Sequence, residues 1–169
     1  MRWKTAIVAL SVLLLSAGCA AAADSNAEHV EADVVFNTEM ITHHQQTIDL
    51  AEAAKGRADS SFVRELSARL PAREQTDIDM MESWLRSWGE PVPMVTPMKS
   101  NLPGKGPKFD EAWLTALSEH LHHGLQMAEN VRKTGKHGPT LELANKIIRE
   151  QGAKMEEISA ARAKSSASS

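Results

Sequence analysis

Cys19 is the only cysteine among the 169 residues, so no intrachain disulfide framework can staple the fold. The one strongly apolar stretch, residues 5–15, is too short for a transmembrane helix, which needs roughly 20 such residues. No Lys/Arg cluster occurs. The formal net charge is −3, and it becomes −5 once Arg2 and Lys4 are set aside with residues 1–18, so nucleic acid and other polyanions are not expected partners. Gly-x-Ser-x-Gly and phosphate-cradling glycine loops are both missing, so no complete catalytic motif marks the chain as an enzyme. Covalent haem attachment lacks its Cys-x-x-Cys-His motif. Strand signals are absent as well, which leaves an all-α fold.

What is present begins with an export signal: basic Arg2 and Lys4, the apolar run, then Leu15-Ser16-Ala17-Gly18-Cys19. The last five residues resemble a lipobox with Cys19 as the lipidated residue, which also accounts for the unpaired thiol. Ser16 stands where Leu is commonest, and residues 20–23, all alanine, offer an ordinary cleavage site instead. The expectation is a lipid anchor at Cys19 on the extracytoplasmic face of the membrane, with secretion as the alternative. Residues 1–18 are then signal, 19–28 tether, and 29–164 one folded domain.

Four helical stretches are expected, at about residues 29–55, 60–88, 109–133 and 139–164. Between the second and third lie Pro91, Pro93, Pro97, Pro103 and Pro107, a linker (residues 89–108) that cannot continue a helix. Gly56, Gly89 and Gly135 fall where left-handed helix ends are wanted, Ser60 or Asp59 can cap the second helix, and Pro71 predicts a kink. The serine-rich residues 165–169 read as a disordered tail.

The chain repeats itself at an offset of 77 residues. Asp33 pairs with Asp110, Thr38 with Thr115, His43 with His120, and Ala51-Glu52 with Ala128-Glu129. The apolar register follows: Phe36, Leu50, Leu70 and Ile78 meet Trp113, Met127, Ile147 and Met155. Two helical hairpins (29–88 and 109–164), neither able to bury its apolar face alone, most simply pack as a four-helix bundle, and the long linker permits a crossover.

Advancing about 100° per residue, the first helix puts Phe36, Met40, His43, His44, Thr47 and Leu50 on one face, with Asp33 on the same side. The second carries Glu74 and Asp77 inside a stripe that includes Leu70, Ile78 and Met81; acids on an apolar face need partners. In the third, Asp110 and His120 repeat Asp33 and His43, while His120, His123 and Met127 share a flank and His122 points away. In the fourth, Gln151 and Lys154 occupy the positions of Glu74 and Asp77. His29 and His137, near helix ends, are expected to be solvated.

Asp33-Val34-Val35-Phe36, Met40-Ile41-Thr42-His43-His44 and Ile48-Asp49-Leu50-Ala51 resemble the family called domain of unknown function 305. Leu66-Ser67, Leu70, Asp77-Ile78 and Met81 match its second signature, with Glu74 where Gln is usual, and Leu143-Ala144, Ile147, Gln151 and Ile158 repeat it. The resemblance implies a ferritin-like four-helix bundle that is exported, with copper bound by His and Met in some members. The second repeat departs from the pattern: Leu117-Ser118-Glu119-His120-Leu121 lacks the second histidine, and the linker keeps only Met94 and Met98.

Soft thioether sulfur suits Cu(I) and neutral imidazole suits several transition metals, so the expected metal ligands are Met40, His43, His44, Met81, His120 and His123, with copper as the ion. Asp33, Glu74 and Asp77 are expected behind His43, and Asp110 and Gln151 behind His120, as hydrogen-bond partners of the imidazoles. The plainer alternative makes the methionines pliable core fillers and the histidines buried hydrogen-bonded groups of a metal-free envelope lipoprotein. A di-iron oxidase needs Glu-x-x-His on two helices, and only Glu119-x-x-His122 fits. Haem held by His and Met is a further bundle chemistry.

Overall fold

The computed structural model describes residues 28–98 and 100–167. The expected signal, Cys19 and all but the last residue of the tether lie outside the described residues. Four helices follow one another: α1 (Glu31–Ala54), α2 (Ser61–Trp88), α3 (Pro107–Thr134) and α4 (Gly138–Ala167). Among the described residues none is long and apolar enough to cross a membrane.

Local chemistry sets the boundaries. Ser60 Oγ accepts the Val63 N–H at 3.2 Å to open α2, and Gly89, at φ 76°, closes it in the left-handed conformation that glycine adopts without steric cost. Helix α2 is continuous across Pro71. Pro107, assigned from sequence to the linker, instead takes the first turn of α3, where its missing N–H costs nothing. Gly135 is also corrected: at φ −79° it is not left-handed, and what it supplies is space, because a Cβ there would lie 2.4 Å from Asp33 Oδ1. Helix α4 runs to Ala167, three residues into the expected tail.

Helices α1 and α3 pack antiparallel about a pseudo-twofold axis that realises the 77-residue repeat. The buried Asp33 carboxylate accepts N–H bonds from Lys136 (2.9 Å) and His137 (3.2 Å), which form the α3–α4 connection. The same shift relates these to Asp59 and Ser60 in the α1–α2 connection, whose N–H groups bond to Asp110 at 2.9 and 2.7 Å. Each hairpin's turn is thus closed by an aspartate of the other hairpin.

Apolar side chains form two clusters. One holds Leu50, Leu66, Leu70, Trp113, Leu117 and Leu121; the other holds Phe36, Met40, Ile78, Met81, Leu85 and Ile147. Each fully buried Leu- or Met-sized chain contributes about 1.5–3 kcal/mol. The crossover linker spans both, with Val92 and Val95 against the second cluster and Met98 and Leu102 against the first. It is tied down by the Met98 N–H on Asp49 (2.6 Å) and by Arg57, which donates to the carbonyls of Leu102 (2.9 Å) and Gly104 (3.0 Å). Between the clusters lies a buried polar waist: His43, His44 and Thr47 from α1, Glu74 and Asp77 from α2, Gln151 and Lys154 from α4.

Candidate metal centre

Consecutive residues on a helix diverge by about 100°, so His43 and His44 turn to different neighbours. His43 faces α3. Its Nε2 lies 2.8 Å from the His120 carbonyl oxygen, while His120 Nε2 lies 3.0 Å from the His43 carbonyl oxygen, and the two rings stack at 3.8 Å and 8°. Carbonyl oxygens only accept, so both Nε2 atoms carry the proton and both Nδ1 atoms keep a lone pair when the rings are neutral. His43 Nδ1 is buried and has no hydrogen-bond partner.

His44 faces α2. Its Nε2 is 3.3 Å from Glu74 Oε2 and 3.6 Å from Asp77 Oδ2, which holds the proton on that nitrogen and leaves Nδ1, also buried, without a partner. The outer oxygens of the two acids are taken by lysines of α4: Lys154 Nζ lies 3.2 Å from Glu74 Oε1 and Lys146 Nζ 2.5 Å from Asp77 Oδ1. Burial opposes ionisation of Asp77, but hydrogen bonds from His44 and Lys146, with the charge of Lys146, outweigh it and hold its pKa below the usual value.

Gly124 of α3 lets His43 and Gln151 approach the backbone of that helix closely. A Cβ at that position would lie 2.5 Å from His43 Cε1 and 2.7 Å from Gln151 Oε1, and that amide oxygen is itself buried and unpartnered. Two imidazole lone pairs and an amide oxygen, none facing a proton donor, make an electron-pair-rich waist that suits a cation.

Burial, reinforced by the neighbouring His120, lowers the His43 pKa to about 3, against a smaller opposing effect of the backbone hydrogen bond. His120 and His137 are lowered as well, each mainly by burial. Unfolded imidazoles take up protons near pH 6.5, so between there and about pH 3 the unfolded chain binds protons that native His43 refuses. Stability is therefore expected to fall as pH drops through this window, by up to about 1.4 kcal/mol per pH unit for each such group. Urea midpoints at a series of pH values check it, and a His43→Asn variant is expected to show a shallower fall.

The sequence-derived ligands divide into three groups. His43 and His44 lie in the waist; Met40 and Met81, both fully buried, belong to the apolar cluster on one side of it. His120 is half-buried on the axis and borders a groove of about 360 Å³ under the linker, with Met98, Glu119 and Leu102 among its walls. His123 is exposed, its ring 5.9 Å from that of His43.

Several expected roles are corrected. Asp33 and Asp110 do not serve the imidazoles, because their carboxylates are spent on backbone N–H groups of the hairpin turns. Glu74 and Asp77 serve His44 rather than His43. Gln151, expected beside His120, lies beside His43. His137 is not solvated but fully buried, edge-on to Trp84 (5.3 Å) and Trp88 (4.8 Å), with Thr140 bonded to its Nδ1. His29 stacks on the same Trp88 at 4.3 Å. Sequence reasoning missed Gly124 and Lys146; a glycine inside a helix on its core-facing side was the available signal for the first.

Two stretches of the chain, residues 33–104 and 94–162, match the family model described as "Domain of unknown function (DUF305)". The chain belongs to the DUF305 family. Among solved structures, this DUF305 protein is similar to CopM in its Cu(I)-bound form, with a TM-score of 0.68 and 26% identity over 75% of this chain and 92% of that one. CopM in the apo form gives 0.67 and 25% over 75% and 93%. A DUF305 fragment from Deinococcus radiodurans, at 21% identity, shares the fold, with a TM-score of 0.68 over 78% of this chain and 95% of that one. Among curated proteins none matches.

Proposed function

We propose that this DUF305 protein binds a soft metal ion, copper(I) first, at the waist of its bundle, and does so outside the cytoplasm on a lipid anchor at Cys19. The observation that carries the reading is the pair of adjacent buried imidazoles, His43 and His44, each with Nε2 committed to an acceptor and Nδ1 left as an unpartnered lone pair. Among the described residues no group of three or more His, Cys, Asp and Glu side chains is arranged to hold a metal ion. A ligand shell here must therefore draw on sulfur, for which Met40 and Met81 are the buried candidates, and a mixed imidazole–thioether set favours a soft ion over a hard one. Likeness to a protein crystallised with Cu(I) supports the same choice. Half-buried His120 and exposed His123 are next to His43, with ring centroids 3.8 and 5.9 Å from its own.

The di-iron alternative finds no support, because Glu119 and His122 are both exposed. The metal-free reading is favoured by the satisfied ion pairs of Glu74 and Asp77, which fix the pairing of α2 with α4.

Competition with a Cu(I) chelator tests the proposal on the purified protein. His43→Ala and His44→Ala are each expected to weaken Cu(I) at least about 100-fold, since the loss of a mere hydrogen-bond partner behind a ligand already costs 10- to 100-fold. Unchanged affinity in both variants, or a wild-type protein whose melting is indifferent to Cu(I) and Ag(I), would leave the metal-free reading standing.

A further inference from the structure

The linker covers only one of two equivalent surfaces. Met98 and Leu102 share a groove on the α1–α3 seam with Leu50 and Ala116, and Arg57 donates to the carbonyls of Leu102 and Gly104. Shifting by 77 residues turns Leu50 into Met127, Arg57 into Thr134 and Ala116 into Glu39. Those three line a second groove, of about 370 Å³, between the first turns of α1 and the last turns of α3. No described residue of the linker is among its walls. Val35 in that wall is, with Met94 of the linker, one of two large apolar side chains left exposed among the described residues, at 42%. An isolated exposed valine needs no explanation, but one that lines a groove beside half-buried Met127 is placed to be covered.

The same shift names the cover. Residues 98–104 become residues 21–27, which lie outside the described residues and run directly into Glu28 before α1. Both chain entries pass the turn of the other hairpin: the Gly106 N–H bonds to the Arg57 carbonyl at 3.3 Å, and Glu28 pairs with Lys136 at 3.3 Å. Residues 21–27, extended, reach roughly 23 Å, more than the distance of about 12 Å along α1 from Glu31 to Glu39.

Size is exchanged between wall and insert. Where the linker brings Met98 and Leu102 against Ala116, residues 21–27 bring Ala21 and Ser25 against Glu39. Small side chains suit the groove with the larger walls. The clamps are not repeated, because Thr134 stands where Arg57 does and Gln126 where Asp49 does, so this segment is held by fit and more loosely than the linker.

We propose that residues 21–27 dock in the groove between α1 and α3, as the counterpart of the linker across the pseudo-twofold axis. This goes beyond the metal reading and does not depend on it. Ala21 then sits beside Met127, so Cys19, two residues earlier, leaves the bundle from the α1–α3 side and not from the tip of α1. A lipid at Cys19, as proposed above, would turn that side toward the membrane.

The test uses residues 19–169 with Cys19→Ser, which removes the only thiol. Ala21→Cys with Met127→Cys is expected to close a disulfide within one chain at least about tenfold faster than Ala21→Cys with Glu129→Cys, because only the first pair is held at bonding distance. Glu129 is exposed on the same helix, two residues on. In a second comparison, Val35→Cys is expected to react with a soluble maleimide about threefold faster or more once Ala21→Glu and Ala23→Glu are added, since two bulky acids beside Glu31 and Glu39 expel the segment. Equal rates in both comparisons reject the docking. A disulfide between two chains, with a dimer by size exclusion, assigns the groove to a second copy and equally overturns the proposal. Should Met127→Cys fail to fold by circular dichroism, the Val35→Cys comparison decides alone, because the added glutamates lie outside the bundle.

Discussion

Asp33→Ala is expected to cost about 3–4 kcal/mol of unfolding free energy, one of the two largest single-residue effects in this molecule. The Asp33 carboxylate is fully buried and receives three backbone donors: Val30 N–H at 2.9 Å, which secures the start of α1, and the N–H groups of Lys136 and His137. Hydrogen bonds to a charged acceptor contribute roughly 1.5–3 kcal/mol each, and deletion of the acceptor strands the buried His137 N–H. Urea unfolding followed by circular dichroism reads the loss. Its pseudo-symmetric counterpart, Asp110→Ala, removes the acceptor for two N–H groups and is expected to cost less, about 2 kcal/mol. Equal and negligible losses in both variants would contradict the reciprocal closure of the two hairpins.

Gly124→Ala is expected to be costly in two currencies at once. In an exposed helix the change would gain about 1 kcal/mol. Here the added methyl meets His43 Cε1 at 2.5 Å and the Gln151 amide at 2.7 and 2.9 Å. Gln151 can swing aside, but the His43 ring is pinned by its bond to the His120 carbonyl and by the stacked His120 ring. The expected net loss is about 2 kcal/mol of stability. Because the methyl also pushes on the His43 ring and shifts its orientation, Cu(I) affinity is expected to fall at least about tenfold. Thermal melting together with chelator competition checks both parts, and a variant as stable as wild type would show that the waist is looser than its geometry indicates.

Much of this was legible in the sequence because periodicity reports which face of a helix is buried. The stripe containing Met40, His43 and His44 turns inward as expected, and the 77-residue offset that aligned His43 with His120 proves to be the operation of the pseudo-twofold axis. Periodicity does not report which neighbour a buried group serves. Whether Glu74 meets His43 or His44 depends on a rotation of α1 by a single residue, and the structure chooses His44. Asp33 was legible as a buried acid, but its acceptor role reaches 103 residues along the chain to Lys136, beyond any local signal. His137 was misjudged because it belongs to a short connection outside every stripe; Trp84 and Trp88 of α2 supply the wall that buries it. Lys146 was invisible as a partner until the helices were placed, since a lysine on the edge of a stripe reads as a solvated charge.

The reciprocal closure of the hairpins bears on how the molecule comes apart. Neither α-hairpin carries the acceptor for its own turn, and the contacts that complete each one span 50 to 104 residues of chain. A folding intermediate with one hairpin formed and the other open would hold an uncapped turn and an apolar face with nothing against it, so it gains little before its partner docks. The two halves are accordingly expected to fold and unfold in one transition despite being separate repeats. The stacked His43–His120 pair, which sits on the axis and belongs to both halves, is then assembled only in that last step. On the proposed location outside the cytoplasm, a chain that crosses the membrane unfolded would form its waist only after crossing.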